Sequence, residues 1–222
     1  MKTAWITGAS RGIGYATTEL FLQRGWNVVV LTRNTESLKM LKDQFSSQLT
    51  LCSVDLNELG TQKLPDLPVN VLINNAGALV NKPMSDITMD DLQYVYRVNV
   101  FAPFQLIKRL MHQFSSDAHI INISSVGGIQ GSVKFPGLTA YSSSKGALNV
   151  LTECLQEEFA DSGWSFNALA LGAVQTEMLE EAFPGFKAPI APTDLAPFIV
   201  DFSTTGHRVL RGKVLPVSMT TP

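Results

Sequence analysis

Seven short apolar runs, separated by stretches that turn amphipathic or break, restrict the fold of this chain more than any other feature. They fall at Thr3 to Thr7, Val28 to Thr32, Leu49 to Val54, Val69 to Asn74, His119 to Ser124 and Ser165 to Leu171, with a weaker one at Lys213 to Val217. Runs without polar alternation predict strands buried on both faces, as in a parallel sheet covered by helices on each side. The intervening segments predict those helices. One spans Gly12 to Arg24, with Ile13, Ala16 and Leu20 on one stripe and Gly25 as a left-handed cap. A second runs from Glu36 to Phe45, with Leu38, Leu41 and Phe45 inward. A third is capped by Thr88, continues through Leu92, Val95 and Val98 to Phe114, and bends at Pro103. A fourth covers Tyr141 to Asp161 and ends near Gly163. Between Asp55 and Asn74 the breakers Asn57, Gly60, Pro65 and Pro68 leave a short helix or none. The expectation is a single α/β domain, residues 1–222, built on a doubly wound parallel sheet.

Bulk properties remove several functions. A net charge of −2, from 17 basic and 19 acidic residues, provides no field for nucleic acid or an anionic membrane. No apolar run approaches the ~18 residues needed to span a bilayer, and with Lys2 followed at once by the first strand and the glycine run no signal peptide is expected. Cys52 and Cys154 are expected as buried free thiols, which fits a soluble, cytoplasmic protein. His112, His119 and His207 stand in separate contexts without metal-ligand spacing, so no metal is expected.

Thr7-Gly8-Ala9-Ser10-Arg11-Gly12-Ile13-Gly14 joins the first strand to the first helix. Glycines let backbone approach a pyrophosphate, and the N–H groups of a first helical turn attract anions. Gly8 suits the tight turn, Gly12 the close approach, and Gly14 the packing of helix on strand, with Ser10, Arg11 and Ile13 in the same loop. With this spacing the run resembles the opening motif of the short-chain dehydrogenase/reductase family. The resemblance implies a Rossmann domain that moves hydride between a nicotinamide cofactor and a carbonyl or alcohol.

The second strand ends Leu31-Thr32-Arg33-Asn34, without the acid that would bind adenosine ribose hydroxyls. A guanidinium there could instead pair with a 2′-phosphate. Arg33, with Arg11 second, therefore points to NADP(H) in preference to NAD(H); the alternative is that both arginines are solvated surface charges. The resemblance further places Asp55 and Leu56 at the adenine. It sets Asn75, Ala76 and Gly77 of the run Asn74-Asn75-Ala76-Gly77 beside the cofactor, and Thr176 at the nicotinamide carboxamide. Leu171 stands where the family has proline, which puts the rigidity of that loop in question.

Tyr141 and Lys145, four apart on a helix, share one face. With an effective dielectric near 20, an ammonium about 5 Å away favours tyrosinate by about 3 kcal/mol, or roughly two pKa units. The resemblance implies that Lys145 also binds the nicotinamide ribose, that Ser125 holds the substrate oxygen, and that Asn99 binds a water linking Lys145 to solvent. Lys134-Phe135-Pro136-Gly137 reads as extra loop before Tyr141. Residues 177–192, with Phe183 and Phe186 and few charges, read as a lid over an apolar substrate, or alternatively as packing against a second subunit. The implied function is an NADP(H)-dependent carbonyl reductase or its reverse, in a homodimer or homotetramer paired through the third and fourth helices. The alternative function is a catalytically silent NADP(H) sensor.

Overall fold

A computed structural model of the protein describes residues 1–60 and 62–220. Its strands are β1 (Thr3–Thr7), β2 (Asn27–Thr32), β3 (Leu49–Ser53), β4 (Val69–Asn74), β5 (Phe114–Ser125), β6 (Ser165–Leu171) and β7 (Lys213–Val217). They form one parallel sheet in the order β3-β2-β1-β4-β5-β6-β7. Strand order reverses between β1 and β4, and the register sets Ile6 beside Ile73, so Thr7 and Asn74 end side by side. Such a switch point opens a crevice at the carboxyl ends of the strands.

Alternate side chains go to opposite faces, and both faces are covered. Ala4, Ile6, Val28, Val30 and Leu169 pack with Phe21, Ile199 and Phe202. Trp5, Val29, Leu31, Leu72, Ile120 and Phe166 pack with Leu106, Leu110 and Leu155. The first layer comprises helices α1 (Gly12–Gln23) and, packed on it, α7 (Pro192–Thr205); α2 (Lys39–Gln44) continues a 3-10 turn at Glu36–Leu38. On the other face lie α3 (Met89–Tyr96), α4 (Ala102–Leu110) and α5 (Thr139–Glu158), and a short α6 (Glu177–Ala182) sits above the sheet's carboxyl edge.

Several boundaries differ from the sequence expectation. β5 begins at Phe114, where the third helix was expected to end; its first residues include polar Ser115, Ser116 and Asp117, which hide the strand in the sequence. The third helix is interrupted as well as bent: Arg97–Phe101 is π-helical, closed by a bond from the Ala102 N–H to the Arg97 carbonyl five residues back. Pro103 has no N–H to give the carbonyl of Asn99, so the regular ladder cannot pass this point. α7 was not anticipated, since the sequence reading places a lid up to residue 192 and no element between it and the last strand; Pro192 takes the first helical position, where no N–H is required. In place of a crossover helix after β3 there is one 3-10 turn, Leu56–Glu58. Buried Leu59 fills the gap, and the Arg109 guanidinium holds the Leu59 and Gln62 carbonyls.

Three expectations about individual side chains fail. Cys154 is exposed, because it lies on the outer face of α5, and Cys52 is only half-buried at the sheet's thinly covered edge; both are free thiols. His119 and His207 stand together, their ring centroids 5.4 Å apart, because the middle of β5 and the 3-10 turn after α7 are in contact. Among the described residues no cluster of His, Cys, Asp or Glu is arranged to hold a metal, and no helix is long and apolar enough to cross a membrane.

Candidate active site

The crevice at the switch point is a cleft of about 500 Å³, within the usual size of small-molecule sites. The glycine turn forms one end of it. Gly8 has φ +65°, and a side chain there would meet the Ala76 backbone at 2.7 Å; one at Gly14 would meet the Asn75 amide and the Gly8 carbonyl at 2.5 Å. Gly12 (φ +56°) has open space instead, its nearest neighbour being the Thr176 methyl at 3.5 Å. α1 begins without a side-chain cap and without acid in its first turn, so its leading N–H groups remain available to an anion.

The polar residues after β4 hold this turn in place. Asn74 donates to Asn122 (2.8 Å), which donates to Thr152 (2.8 Å), tying β4 through β5 to α5. The Asn75 amide donates to the carbonyls of Thr7 and Gly8, both at 3.0 Å. Thr7 Oγ1 accepts from the N–H groups of Asn75 and Ala76, each at 3.0 Å. Asn75 is thus a clamp on the turn, and Thr7, to which the motif assigned no part, is its counterpart.

Gly8, Ser10, Arg11, Gly12, Ile13, Arg33, Asp55, Leu56, Asn75, Ala76, Gly77, Ser125, Tyr141, Lys145 and Thr176 all line the cleft. Gly14 and Asn99 do not; Gly14 sits behind the turn, and Asn99 is fully buried behind Gly77. Arg33 follows the end of β2, and the nearest acid, Glu36, lies in the next turn facing Lys39. Asp55 caps its own turn, accepting from the N–H and the amide of Asn57, both at 2.9 Å. Arg11 is paired with Glu177 of α6 at 2.8 Å, a contact without a signature in the sequence. The loop after Leu171 is fixed by backbone bonds rather than by a proline: Gly172 to Val217 (2.9 Å), Ala173 to Thr220 (3.2 Å) and Gln175 to Ile190 (2.8 Å).

At the other end, α5 and β5 bring Tyr141, Lys145 and Ser125 together. Gly128 permits this, because a side chain on it would strike the Lys145 backbone at 2.6 Å. The Ser125 hydroxyl bonds to the phenol of Tyr141 and accepts the N–H of Gly127 at 3.2 Å. Lys145 Nζ lies 5.8 Å from the Tyr141 ring centre and donates to the Ile123 carbonyl at 2.8 Å. The Asn99 amide donates to the Ala78 carbonyl (2.9 Å) and to Ser144 Oγ (2.9 Å), while its oxygen accepts the Ala78 N–H (2.8 Å). Ser144 passes this on to the Tyr141 carbonyl at 2.7 Å. The π-helical turn is therefore fastened to the helix that carries the phenol.

The electrostatics correct the sequence estimate. Burial pushes the Tyr141 phenol above its ordinary value, opposed only by Ser125, and burial brings Lys145 down to about 8. Desolvation, which four-residue spacing does not reveal, outweighs the hydrogen bond from Ser125 and sets the direction of both shifts.

A family model described as short chain dehydrogenase matches residues 2–185. The chain belongs to the short-chain dehydrogenase family. It is 33% identical over 197 residues to L-2,3-butanediol dehydrogenase of Corynebacterium glutamicum, covering 81% of this chain and 74% of that one. It is 32% identical over 187 residues to the 3-oxoacyl-acyl-carrier-protein reductase FabG of Rickettsia felis, covering 81% and 76%. Among solved structures, 4-hydroxyisoleucine dehydrogenase complexed with NADH superposes with TM-score 0.85 at 28% identity, covering 98% of this chain and 97% of that chain. As a family member the chain is an oxidoreductase with the Rossmann-like fold.

Proposed function

We propose that this short-chain dehydrogenase interconverts a carbonyl and a secondary alcohol with NADP(H). The observation that carries the reading is the convergence of Tyr141, Ser125 and Lys145 at one end of a cleft whose other end is an uncapped helix N-terminus behind a glycine turn. Two relatives are named for hydroxyl-bearing substrates, butanediol and hydroxyisoleucine. The residues present suit a dinucleotide: Gly12 is open to it, the first turn of α1 would hold its pyrophosphate, and Thr176, Asn75 to Gly77 and Lys145 would border its nicotinamide half. When bound, the nicotinamide supplies or takes up the hydride. In the reducing direction Tyr141 Oη gives its proton to the carbonyl oxygen, and Ser125 Oγ steadies that oxygen. Lys145 Nζ replenishes the positive field at the phenol, and the Asn99 carbonyl, which Pro103 cannot reach with an N–H, holds the water that leads to solvent.

The neighbour 4-hydroxyisoleucine dehydrogenase is complexed with the unphosphorylated cofactor NADH. Here Arg33 favours the 2′-phosphate, with Arg11 as its second contact once released from Glu177. The exposed Phe101, Phe104 and Val150 near and along the outer faces of α4 and α5 support pairing of subunits there. Loss of NADPH absorbance over a panel of carbonyls tests the activity. Tyr141→Phe should abolish turnover while leaving NADPH binding intact, and Arg33→Ala should weaken NADPH about tenfold or more with NADH unaffected. Full turnover by Tyr141→Phe would remove the catalytic assignment, and an unchanged cofactor preference in Arg33→Ala would remove the NADP(H) assignment.

A further inference from the structure

The loop at Lys134 to Gly137, which no cofactor or proton-transfer role requires, sets Phe135 in the wall of the cleft and meets the lid. Phe135 from that loop and Phe183 from the end of α6 stand edge to face, with ring centroids 5.1 Å apart and planes at 77°. Both line the cleft beside Leu79, Leu138 and Met178. Their two segments are stitched to a third. The Asn81 amide donates to the Ala182 carbonyl at 2.9 Å, and the Lys82 N–H donates to the Gly137 carbonyl at 3.1 Å. Gly137 has φ +84°, and a side chain there would fall 2.0 Å from Asn81 Oδ1, so the loop's path depends on that glycine.

The charges of the cleft lie elsewhere. Arg11, Arg33 and Asp55 follow the glycine turn and the ends of β2 and β3, Lys145 is at the phenol, and Glu177 faces Arg11. Lys134, beside Phe135 in the chain, turns its ammonium back onto the carbonyls of Ile129 (2.8 Å) and Ser132 (3.1 Å). Lys82 is committed to Asp91 at 2.8 Å. An anionic substrate arm would thus lose its water without gaining a partner.

Resting on the carbonyl-reductase reading above, we propose that Phe135 and Phe183 are the specificity-determining residues of the substrate site, and that it takes neutral ketones carrying an aromatic or bulky apolar arm. The edge-to-face pair grips the arm's ring, and among the described residues that line the cleft no cation stands beside Phe135 and Phe183 to hold a carboxylate.

Three α-keto compounds, each enzymatic rate referred to the same compound's reduction by borohydride, test this: ethyl benzoylformate (neutral, aryl), the benzoylformate anion (aryl, charged) and ethyl pyruvate (neutral, without a ring). With NADPH present, kcat/KM should favour ethyl benzoylformate over ethyl pyruvate by about tenfold and over the anion by about a hundredfold. Phe135→Leu and Phe183→Leu should collapse the first ratio, the loss falling on ethyl benzoylformate about tenfold more than on ethyl pyruvate. Equal losses for both neutral esters, or an anion reduced as well as its ester, would overturn the proposal. Ligand-observed saturation-transfer NMR of the same three compounds separates it from the redox reading. Selective binding of the neutral aryl ester without turnover would sink the redox activity and leave the aromatic grip supported, whereas absence of that binding would sink the grip.

Discussion

Acid should destabilise this protein through one buried imidazole. His119 is 1% exposed, with Nδ1 3.0 Å from the Ser203 carbonyl and Nε2 2.9 Å from the Asn167 amide. Asn167 cannot turn over, because its amide also donates to Leu210 (2.9 Å) and its oxygen accepts the Lys213 N–H (3.0 Å). Nε2 is therefore an acceptor, Nδ1 carries the proton, and a second proton would face an N–H. Burial accordingly lowers His119 from 6.5 to about 4, aided by the charge of neighbouring His207. Because the folded pKa lies below the unfolded one, the unfolded chain binds the proton first. Stability is intact above the unfolded value and falls with pH down to the folded value. At about 1.4 kcal/mol per pH unit the full loss is about 3 kcal/mol, of which about 2 kcal/mol is gone by pH 5. That is a large share of the roughly 5–15 kcal/mol typical of a folded domain. His119→Gln keeps a donor and an acceptor but does not titrate. In urea unfolding the drop in stability from about pH 7.5 to 5 should be smaller in this variant than in the parent by about 2 kcal/mol. Equal drops in the two proteins would refute the neutral, locked imidazole.

Two further outcomes follow from the cleft. Gly8→Ala puts a side chain on a left-handed residue and 2.7 Å from the Ala76 backbone; it should cost about 1–2 kcal/mol of stability and weaken NADPH binding at least about tenfold, read by urea unfolding and by NADPH fluorescence titration. Glu177→Gln removes the partner of Arg11, and because both side chains are exposed (64% and 65%) stability should change by less than about 0.5 kcal/mol. The freed Arg11 should tighten NADPH several-fold, and isothermal titration showing no gain would mean that Arg11 does not reach the phosphate.

The parts legible from sequence were those where one physical demand governs several adjacent residues. Strands buried on both faces had to be apolar throughout, so β1, β2, β4 and β6 read almost to the residue. The glycine turn read correctly because Gly8 and Gly12 occupy positive φ and Gly8 and Gly14 lie too close to neighbouring backbone for a side chain. What escaped depends on contacts between distant segments. α7 was hidden because the lid reading runs up to residue 192 and the helix shows itself only where α1 packs on it. Ser144 passed as a spacer between Tyr141 and Lys145, yet it joins Asn99 to α5. The pKa of Tyr141 went the opposite way because burial cannot be read from spacing.

The last strand has a reach beyond its own edge of the sheet. Since Val217 and Thr220 hold the backbone of Gly172 and Ala173, the cleft wall that leads to Thr176 is tethered by residues remote from every recognised motif. Shortening the protein to the motif-bearing portion would keep each named side chain and still unfasten the surface against which they work.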